Sequence, residues 1–404
     1  MLNLEVPAKL DALVYQAHMA AVHVLRPISR RYDSAEHVYP VELDTLAELV
    51  AQANAQQAGL NTTPDTEAAE STRAAEANVN GRNLASLAGV IEMCWGDVGL
   101  MLTMPRQGLG QAAIRAVGTP DQLRRFGGRW AAMAITEPEA GSDSAAVRTT
   151  AIPDGDEYVL NGEKIYVTSG DRAELIVVWA TLDRSAGRGA IKSFVVERDN
   201  PGLKLDRLEH KLGIRASDTA NFVLENCRVP KENLLGSPEI TTSRDGFAGV
   251  MQTFDDTRPM VAGMAVGVAR AALDRTRELL EEAGVPIDYD RPLTAQSAAV
   301  AEFIRLEADW EASRLLAFKA AWMSDNRVPN KLAASIAKAK AGRVATEVTL
   351  RCVELCGTVG YAEDELLEKW ARDAKILDIF EGTQQIQQLV IARELLGKTS
   401  SELR

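Results

Sequence analysis

Cysteine and histidine are scarce in this 404-residue chain, with four of each. Cys94, Cys227, Cys352 and Cys356 are too few for a disulfide framework at this length and point to a reducing compartment. Cys352 and Cys356 lie one helical turn apart, yet no nearby His or Cys pair completes a zinc set. His18, His23, His37 and His210 form no HExxH or comparable cluster, so no metal site is expected. Positive charge is also in deficit: 45 Lys and Arg face 57 Asp and Glu, a formal net charge of −12. That balance argues against a protein whose main task is to grip nucleic acid or an acidic membrane, while leaving room for a local basic pocket. No apolar run approaches the ~20 residues that span a bilayer. The N-terminus, MLNLEVPAKLDALVYQAHMAAVHVLRP, has no basic segment followed by an apolar one and reads as a soluble amphipathic helix. The cytoplasm is the expected location.

What is present is ordinary for a globular protein, 46% hydrophobic and 25% charged, in a chain long enough for two or three packed units. Three zones separate by period. Residues 1–130 are rich in Ala, Leu and Glu with helical spacing, as in Leu43, Leu46, Leu49 and Val50. Within them, residues 61–83 have few large apolar side chains and read as a solvated loop or an exposed helix. Residues 131–240 turn β-branched: DEYVLNGEKIYVTSG predicts a hairpin around Asn161-Gly162, and ELIVVWATL, IKSFVVER and ANFVLENCRV follow. With no helical segments between these runs, an antiparallel barrel or sandwich is expected. From 241 to 404 the helical period returns in at least four long segments, one with Gly284 as its C-cap, and predicts a four-helix bundle. The fold expected is mainly α with a central antiparallel β unit, a barrel or a sandwich. GLGQAA (108–113) matches a dinucleotide fingerprint, but LMLTMPRQ before it is a poor strand and no acidic residue follows at the right distance, so no nucleotide loop is expected. Gly263 and Gly267 predict close helix packing, and Trp95, Trp179, Trp310, Trp322 and Trp370 read as core or interface fillers.

Five stretches carry the chemistry. AITEPEAGSD (134–143) combines hydroxyls, a proline, a glycine and a carboxylate in a turn that can aim donors at a heterocycle or phosphate. On composition alone it is an ordinary capped loop, but its sequence resembles the signature of the acyl-CoA dehydrogenase family. NGEKIYVTSG (161–170), EHKLGIRASDTANFVLENCRVPKENLLG (209–236), FDDTRP (254–259) and RDAKILDIFEGTQQIQ (372–387) are similar to further stretches of that family, in order, across roughly residues 85 to 395. The resemblance implies an N-terminal helical domain (1–130), a middle β-barrel (131–240) and a C-terminal four-helix bundle (241–404), the order also read from periodicity. It implies FAD held by Thr136, Ser142, Tyr166, Thr168 and Thr383, with Tyr166 covering the isoalloxazine and Thr168 beside N5. It places Ser142, Asp255, Arg258 and Gly382 at an acyl-CoA thioester. Glu381 then corresponds to the base that removes the α-proton while the β-hydride passes to flavin N5, giving a trans-2-enoyl-CoA. A carboxylate suits that task when desolvated, and Phe380 is an apolar neighbour. Read without the resemblance, Glu381 is a first-turn acid favoured by a helix dipole. Lys211 and Arg215 are further candidates to meet CoA phosphates.

The resemblance further implies an electron-transfer flavoprotein as electron acceptor, with an oxidase using O2 or a non-catalytic flavin-binding scaffold as alternatives. Family homo-oligomers commonly complete each FAD site with an Arg-x-x-Phe-Gly stretch and a Gln-x-x-Gly-Gly element from a neighbouring subunit. This chain has EEAGVPIDYDRPLTAQ (281–296) at the first position, and Glu354, Gly357 and Thr358 at the second. Losing an Arg beside a pyrophosphate removes a charge-assisted bond worth ~1.5–3 kcal/mol. The chain therefore reads as the Glu-bearing partner of a hetero-oligomer whose paralogous subunit supplies those groups, or as a homo-oligomer with rebuilt contacts, Arg291 among them. Acyl chain length is not legible.

Overall fold

The computed structural model describes residues 6–50, 79–106, 108–240, 248–399 and 402, with residues 248–256 as helical backbone. Most of the 61–83 stretch, and with it the choice between loop and helix, lies outside the described residues. The chain begins with α1 (Asp11–Ala20), passes through a π turn at Ala21–Leu25 and continues as α2 (Arg26–Ser34). Residues 42–50 form α3, where Leu43 and Leu46 face inward while Leu49 and Val50 stay exposed. The longest helix of this zone, α4 (Arg82–Thr103), is apolar and long enough to cross a membrane by composition, with a hydropathy of 1.4. Two-thirds of its most apolar 18-residue window is buried inside the protein, as befits a core helix. Two shorter helices follow, α5 (Leu109–Val117) and α6 (Pro120–Phe126), the latter opened by a capping box in which Thr119 and Gln122 satisfy each other's backbone N–H.

The middle zone holds seven strands in one curled sheet: β1 (Ala131–Ala134), β2 (Thr150–Asp154), β3 (Glu157–Thr168), β4 (Leu175–Thr181), β5 (Ile191–Glu197), β6 (Leu203–Leu208) and β7 (Thr219–Pro230). The order is β1-β4-β2-β3-β7-β6, with β5 also on β4. Two expectations are corrected here. The sheet is mixed, because β1 runs parallel to β4 and β2 meets β4 in parallel at Thr150 and Thr181, while the other pairs are antiparallel. The long connection from β1 to β4 allows a parallel approach that a tight hairpin would forbid. The hairpin turn lies at Gly155-Asp156, not at Asn161-Gly162. Asp154 pairs with Glu157, and Gly155 takes the left-handed conformation (φ 59°) such a turn needs. Asn161 and Gly162 sit inside the 12-residue β3, where the register against β7 shifts in a bulge.

Every residue of β4 is buried, because both faces of the sheet are covered there. Ile176, Val178 and Ala180 point into the hollow of the sheet with Phe194, Phe222 and Leu160. Leu175, Val177 and Trp179 point the other way, onto Ile114 of α5 and Phe126 of α6. This contact explains GLGQAA without a nucleotide: a Cβ on Gly110 would overlap the backbone of Ala131, so glycine lets α5 lie on β1. The strand follows this loop instead of preceding it.

The C-terminal zone comprises α7 (Ala248–Glu282), α8 (Ala298–Asp325), α9 (Lys331–Tyr361), α10 (Leu367–Ala374) and α11 (Gln384–Leu396). Gly284 follows α7 with φ 74°, and the N–H of Val285 closes on the Leu280 carbonyl in a C-terminal cap. The bundle core is shared with the first zone: Leu87, Ile91, Cys94 and Val98 of α4 pack with Ala265, Ala269, Phe303 and Val344. Gly263 and Gly267 make that closeness possible, since Cβ atoms there would collide with Leu87 and with the Ile91 carbonyl of α4. Trp179 and Trp370 are buried, and the indole N–H of Trp310 donates to the Val266 carbonyl at 3.0 Å.

Candidate active site

Two groups of the sequence-selected residues come together on separate elements. The first surrounds the loop between β1 and β2. Glu137 is buried, and its carboxylate accepts from the backbone N–H of Arg148 (2.6 Å) and Thr149 (2.9 Å) and from the Lys164 ammonium (2.7 Å). Lys164 also donates to the Ile135 carbonyl (3.1 Å), and the N–H of Ile165 donates to the carbonyl of Thr136 (2.9 Å). Thr136 is thereby pinned between two fixed neighbours, at the rim of β3. Burial pulls the Lys164 ammonium down to about 8, against the opposing pull of Glu137. Ser142 lies exposed in the turn that follows.

β3 carries Tyr166 and Thr168 past the same rim. The ladder to β7 shifts between Lys164 and Val167, and Tyr166 occupies that bulge with φ 59°. Its N–H is fixed by the side-chain carbonyl of buried Asn221 at 3.0 Å. A left-handed tyrosine is strained, and here the strain turns the ring out of the sheet, leaving the residue 61% exposed. Thr168 is exposed beside it. An exposed, immobilised aromatic face with flanking hydroxyls fits a planar heterocycle such as a flavin.

The second group lies where α7 and α9 meet the segment before α11. Glu381 does not belong to the first turn of a helix. It has φ 56°, Gly382 has φ 91°, and α11 begins at Gln384. The helix-dipole reading of Glu381 is therefore corrected; Thr383 takes the N-cap, its hydroxyl accepting from the N–H of Ile386. The Glu381 carboxylate accepts from the Thr257 hydroxyl at 2.9 Å. Burial raises its pKa above the usual glutamate range, opposed by the Thr257 bond and by the charges of Arg258 and Lys338. Arg258 is buried, and Asp255 lies one helical turn before it, on the described backbone of α7. The Gly382 carbonyl accepts from the Lys338 ammonium (2.6 Å) and from Gln387 (3.2 Å), which also reaches the Glu381 carbonyl (3.0 Å). These bonds hold both left-handed residues in place. The Glu381 N–H has no acceptor among the described residues. Phe380 packs on the bundle core.

The loop after β6 ties the two groups together. The Ile214 N–H donates to Asp373 at 2.5 Å, and Gly213 lies directly on the backbone of Arg372 and Asp373, eight residues before Glu381. Lys211 and Arg215 point inward in this loop: the Lys211 ammonium donates to the Ser217 carbonyl (2.7 Å) and the Arg215 guanidinium to the Lys211 carbonyl (2.9 Å). Lys338, Lys164 and Asn221 were not singled out from sequence. For Lys338 a signal existed, since it shares a helical face with Ala334, Ala341 and Ala345, all buried.

The family description "Acyl-CoA dehydrogenase, middle domain" matches residues 132–227, and "Acyl-CoA dehydrogenase, C-terminal domain" matches residues 244–396. The chain is 40% identical over 263 residues to the mouse protein "Short-chain specific acyl-CoA dehydrogenase, mitochondrial", a stretch covering 65% of this chain and 62% of that protein. It is 35% identical over 306 residues to "Acyl-CoA dehydrogenase, short-chain specific" of Clostridium acetobutylicum, covering 74% of this chain and 78% of the relative. The solved structure of butyryl-CoA dehydrogenase from Megasphaera elsdenii superposes with a TM-score of 0.82 at 28% identity, over 98% of this chain and all of that one.

Proposed function

The chain belongs to the acyl-CoA dehydrogenase family, whose members are FAD-dependent flavoproteins, and on that premise we propose that it converts an acyl-CoA thioester to the trans-2-enoyl-CoA. The observation that carries this reading is Glu381, a carboxylate raised above its usual range by burial and held by Thr257 at the mouth of the bundle. Bound FAD supplies the acceptor for the β-hydride at flavin N5. Tyr166 would cover the ring, and Thr136, Ser142, Thr168 and Thr383 would hydrogen-bond its edge, with the strained backbone at Tyr166 presetting that face. Glu381 takes the α-proton, for which a desolvated carboxylate is strong enough near neutral pH. The Glu381 N–H donates to the thioester carbonyl, stabilising the negative charge that develops there as the proton leaves. Gly382 gives the backbone room at the thioester, while Ser142, Asp255 and Arg258 contact the CoA substrate. Electrons leave to an electron-transfer flavoprotein. Anaerobic addition of butyryl-CoA and of longer, branched and steroid-derived acyl-CoAs to the flavin-loaded protein, co-expressed with the paralogue where loading requires it, should bleach the flavin band with at least one of them and yield the enoyl-CoA by mass spectrometry. No bleaching with any of these would overturn the proposal, and rapid return of colour in air would point to O2 as the acceptor.

The second part of the proposal concerns assembly. Glu354 and Thr358 stand where the family carries Gln and Gly, and the 281–296 stretch lacks the Arg-x-x-Phe-Gly element. Glu354 is exposed and already paired with Arg351, and the neighbouring Leu350, Val359 and Tyr361 are exposed apolar side chains, Tyr361 at 79%. These features support a chain that receives its missing FAD contacts from a paralogous subunit and offers that surface to it. Purified alone, the protein should be flavin-poor and should gain near-stoichiometric FAD when co-expressed with the paralogue. Native mass spectrometry showing a fully flavin-loaded homo-oligomer would refute the hetero-oligomer.

A further inference from the structure

Apart from the candidate active site, one cluster among the described residues brings together metal-ligating side chains that are distant in sequence. Glu36 and His37 follow the end of α2, and His210 opens the loop after β6. One ligand atom from each lies within 4.8 Å of the others. The Glu36 carboxylate is oriented from both sides: His210 Nδ1 lies 2.9 Å from Oε2, and the Lys211 N–H donates to Oε1 at 2.9 Å. The two imidazoles are tilted at 58° with ring centroids 5.0 Å apart. His37 has a left-handed backbone (φ 71°), which turns its ring toward the other two side chains. Both of its ring nitrogens are buried, and neither has a hydrogen-bond partner among the described residues.

A buried polar atom without a partner is destabilising, and His37 carries two such atoms on one strained residue. An alternative that satisfies the imidazole is a cation. We propose that Glu36, His37 and His210 form a site for one divalent late-transition ion of the Zn2+ type, with solvent completing the coordination. Two imidazoles and one carboxylate are a common donor set for such ions, whereas Mg2+ and Ca2+ prefer oxygen-only shells. Ligand atoms on a tetrahedral ion at ~2.0–2.1 Å are closer together than 4.8 Å, so a small inward rotation is required. His210 is 82% exposed at its side chain and free to make it. The nearby Lys211 ammonium is turned away onto the Ser217 carbonyl. The bound ion clamps the end of α2 to the β6–β7 loop, the same loop that docks Ile214 on Asp373. The site is independent of the proposed dehydrogenation, and it was invisible in the sequence because His37 and His210 share no local spacing.

The test is a titration of the full-length, flavin-loaded protein, stripped with EDTA and desalted, with ZnCl2 in competition with a chromophoric chelator. One equivalent per chain is expected, weakened ~10-fold or more in each of His37→Ala and His210→Ala. Cys356→Ser should bind as the parent does, since the other thiols (Cys94, Cys227, Cys352) are buried. Co2+ should give visible ligand-field bands in the parent that both histidine variants lose. If His37→Ala misfolds, exposed His210→Ala decides alone. Absence of stoichiometric binding, or binding unchanged in the histidine variants, overturns the site.

Discussion

Glu381→Gln in the flavin-loaded protein should lower turnover by at least ~10²-fold, the usual contribution of a general base. Gln keeps the size of the side chain and can still accept from the Thr257 hydroxyl, which donates at 2.9 Å in the parent. Gly382 would keep its bonds to Lys338 and Gln387, so the left-handed turn should survive. The loss should therefore fall on kcat, with flavin content and binding of a non-reactive acyl-CoA analogue close to the parent's. The pH profile offers a second readout. A base acts when deprotonated, so the parent's rate should climb with pH through the titration of Glu381. Because burial raises that titration above the usual glutamate range, outweighing Thr257, Arg258 and Lys338, the climb should come at higher pH than an exposed Glu would give. The residual rate of Glu381→Gln should lack that limb. Near-parent turnover, or the same limb in the variant, would remove Glu381 from the proposed chemistry.

How far such a site can be read from sequence depends on whether its parts are local. The EGT stretch was legible as a motif, and helices such as α8 and α9 were legible from their period. The backbone state that presents Glu381 was not, because the φ of 56° there is held by Gln387 on α11 and by Lys338, which reaches the Gly382 carbonyl from the distant α9. Asn161-Gly162 shows the opposite error: a strong local turn signal was overridden by the long pairing of β3 with β7, and the pair became a bulge. β1 was missed because its sequence, AAMA, has no β-branched residue, and its place comes from pairing with β4. Buried charge is hardest to see. Lys338 and Lys340 are two residues apart on α9, yet one is sealed beneath Gly382 while the other is part-exposed and pairs with Asp309. Only their helical phase tells them apart.

The largest loss of stability is expected at a residue that sequence reading passed over, Lys369. Its ammonium is buried on α10 between two equally buried carboxylates, Asp97 at 2.8 Å and Asp373 one turn along the same helix. Asp97 interrupts α4 with an extended backbone, and its other oxygen re-caps the helix by accepting from the Leu100 N–H at 2.8 Å. The Ser29 hydroxyl of α2 also donates to it, and Asp373 accepts from Ile214 of the β6–β7 loop. Lys369 thus joins both helical zones and the sheet through one charge. Lys369→Met preserves most of the volume and leaves two carboxylates buried without their counter-ion, a change that typically costs about 3–5 kcal/mol. One of them should respond by holding a proton. A carboxyl whose folded pKa is raised gives stability that is present below its unfolded pKa and lost as pH rises through the folded one. The deficit against the parent should therefore be smaller at pH 5 than at pH 8 in denaturant melts. Lys204→Met, which breaks a solvent-exposed pair with Glu225, should change little at either pH. A Lys369→Met loss no greater than that of Lys204→Met, or one independent of pH, would mean that the triad does not hold the zones together. A loss of the expected size should also disturb the strip from Arg372 to Glu381, because Asp373 would no longer present a fixed acceptor to Ile214. Turnover of the folded variant should then fall even though Lys369 lies outside the candidate active site.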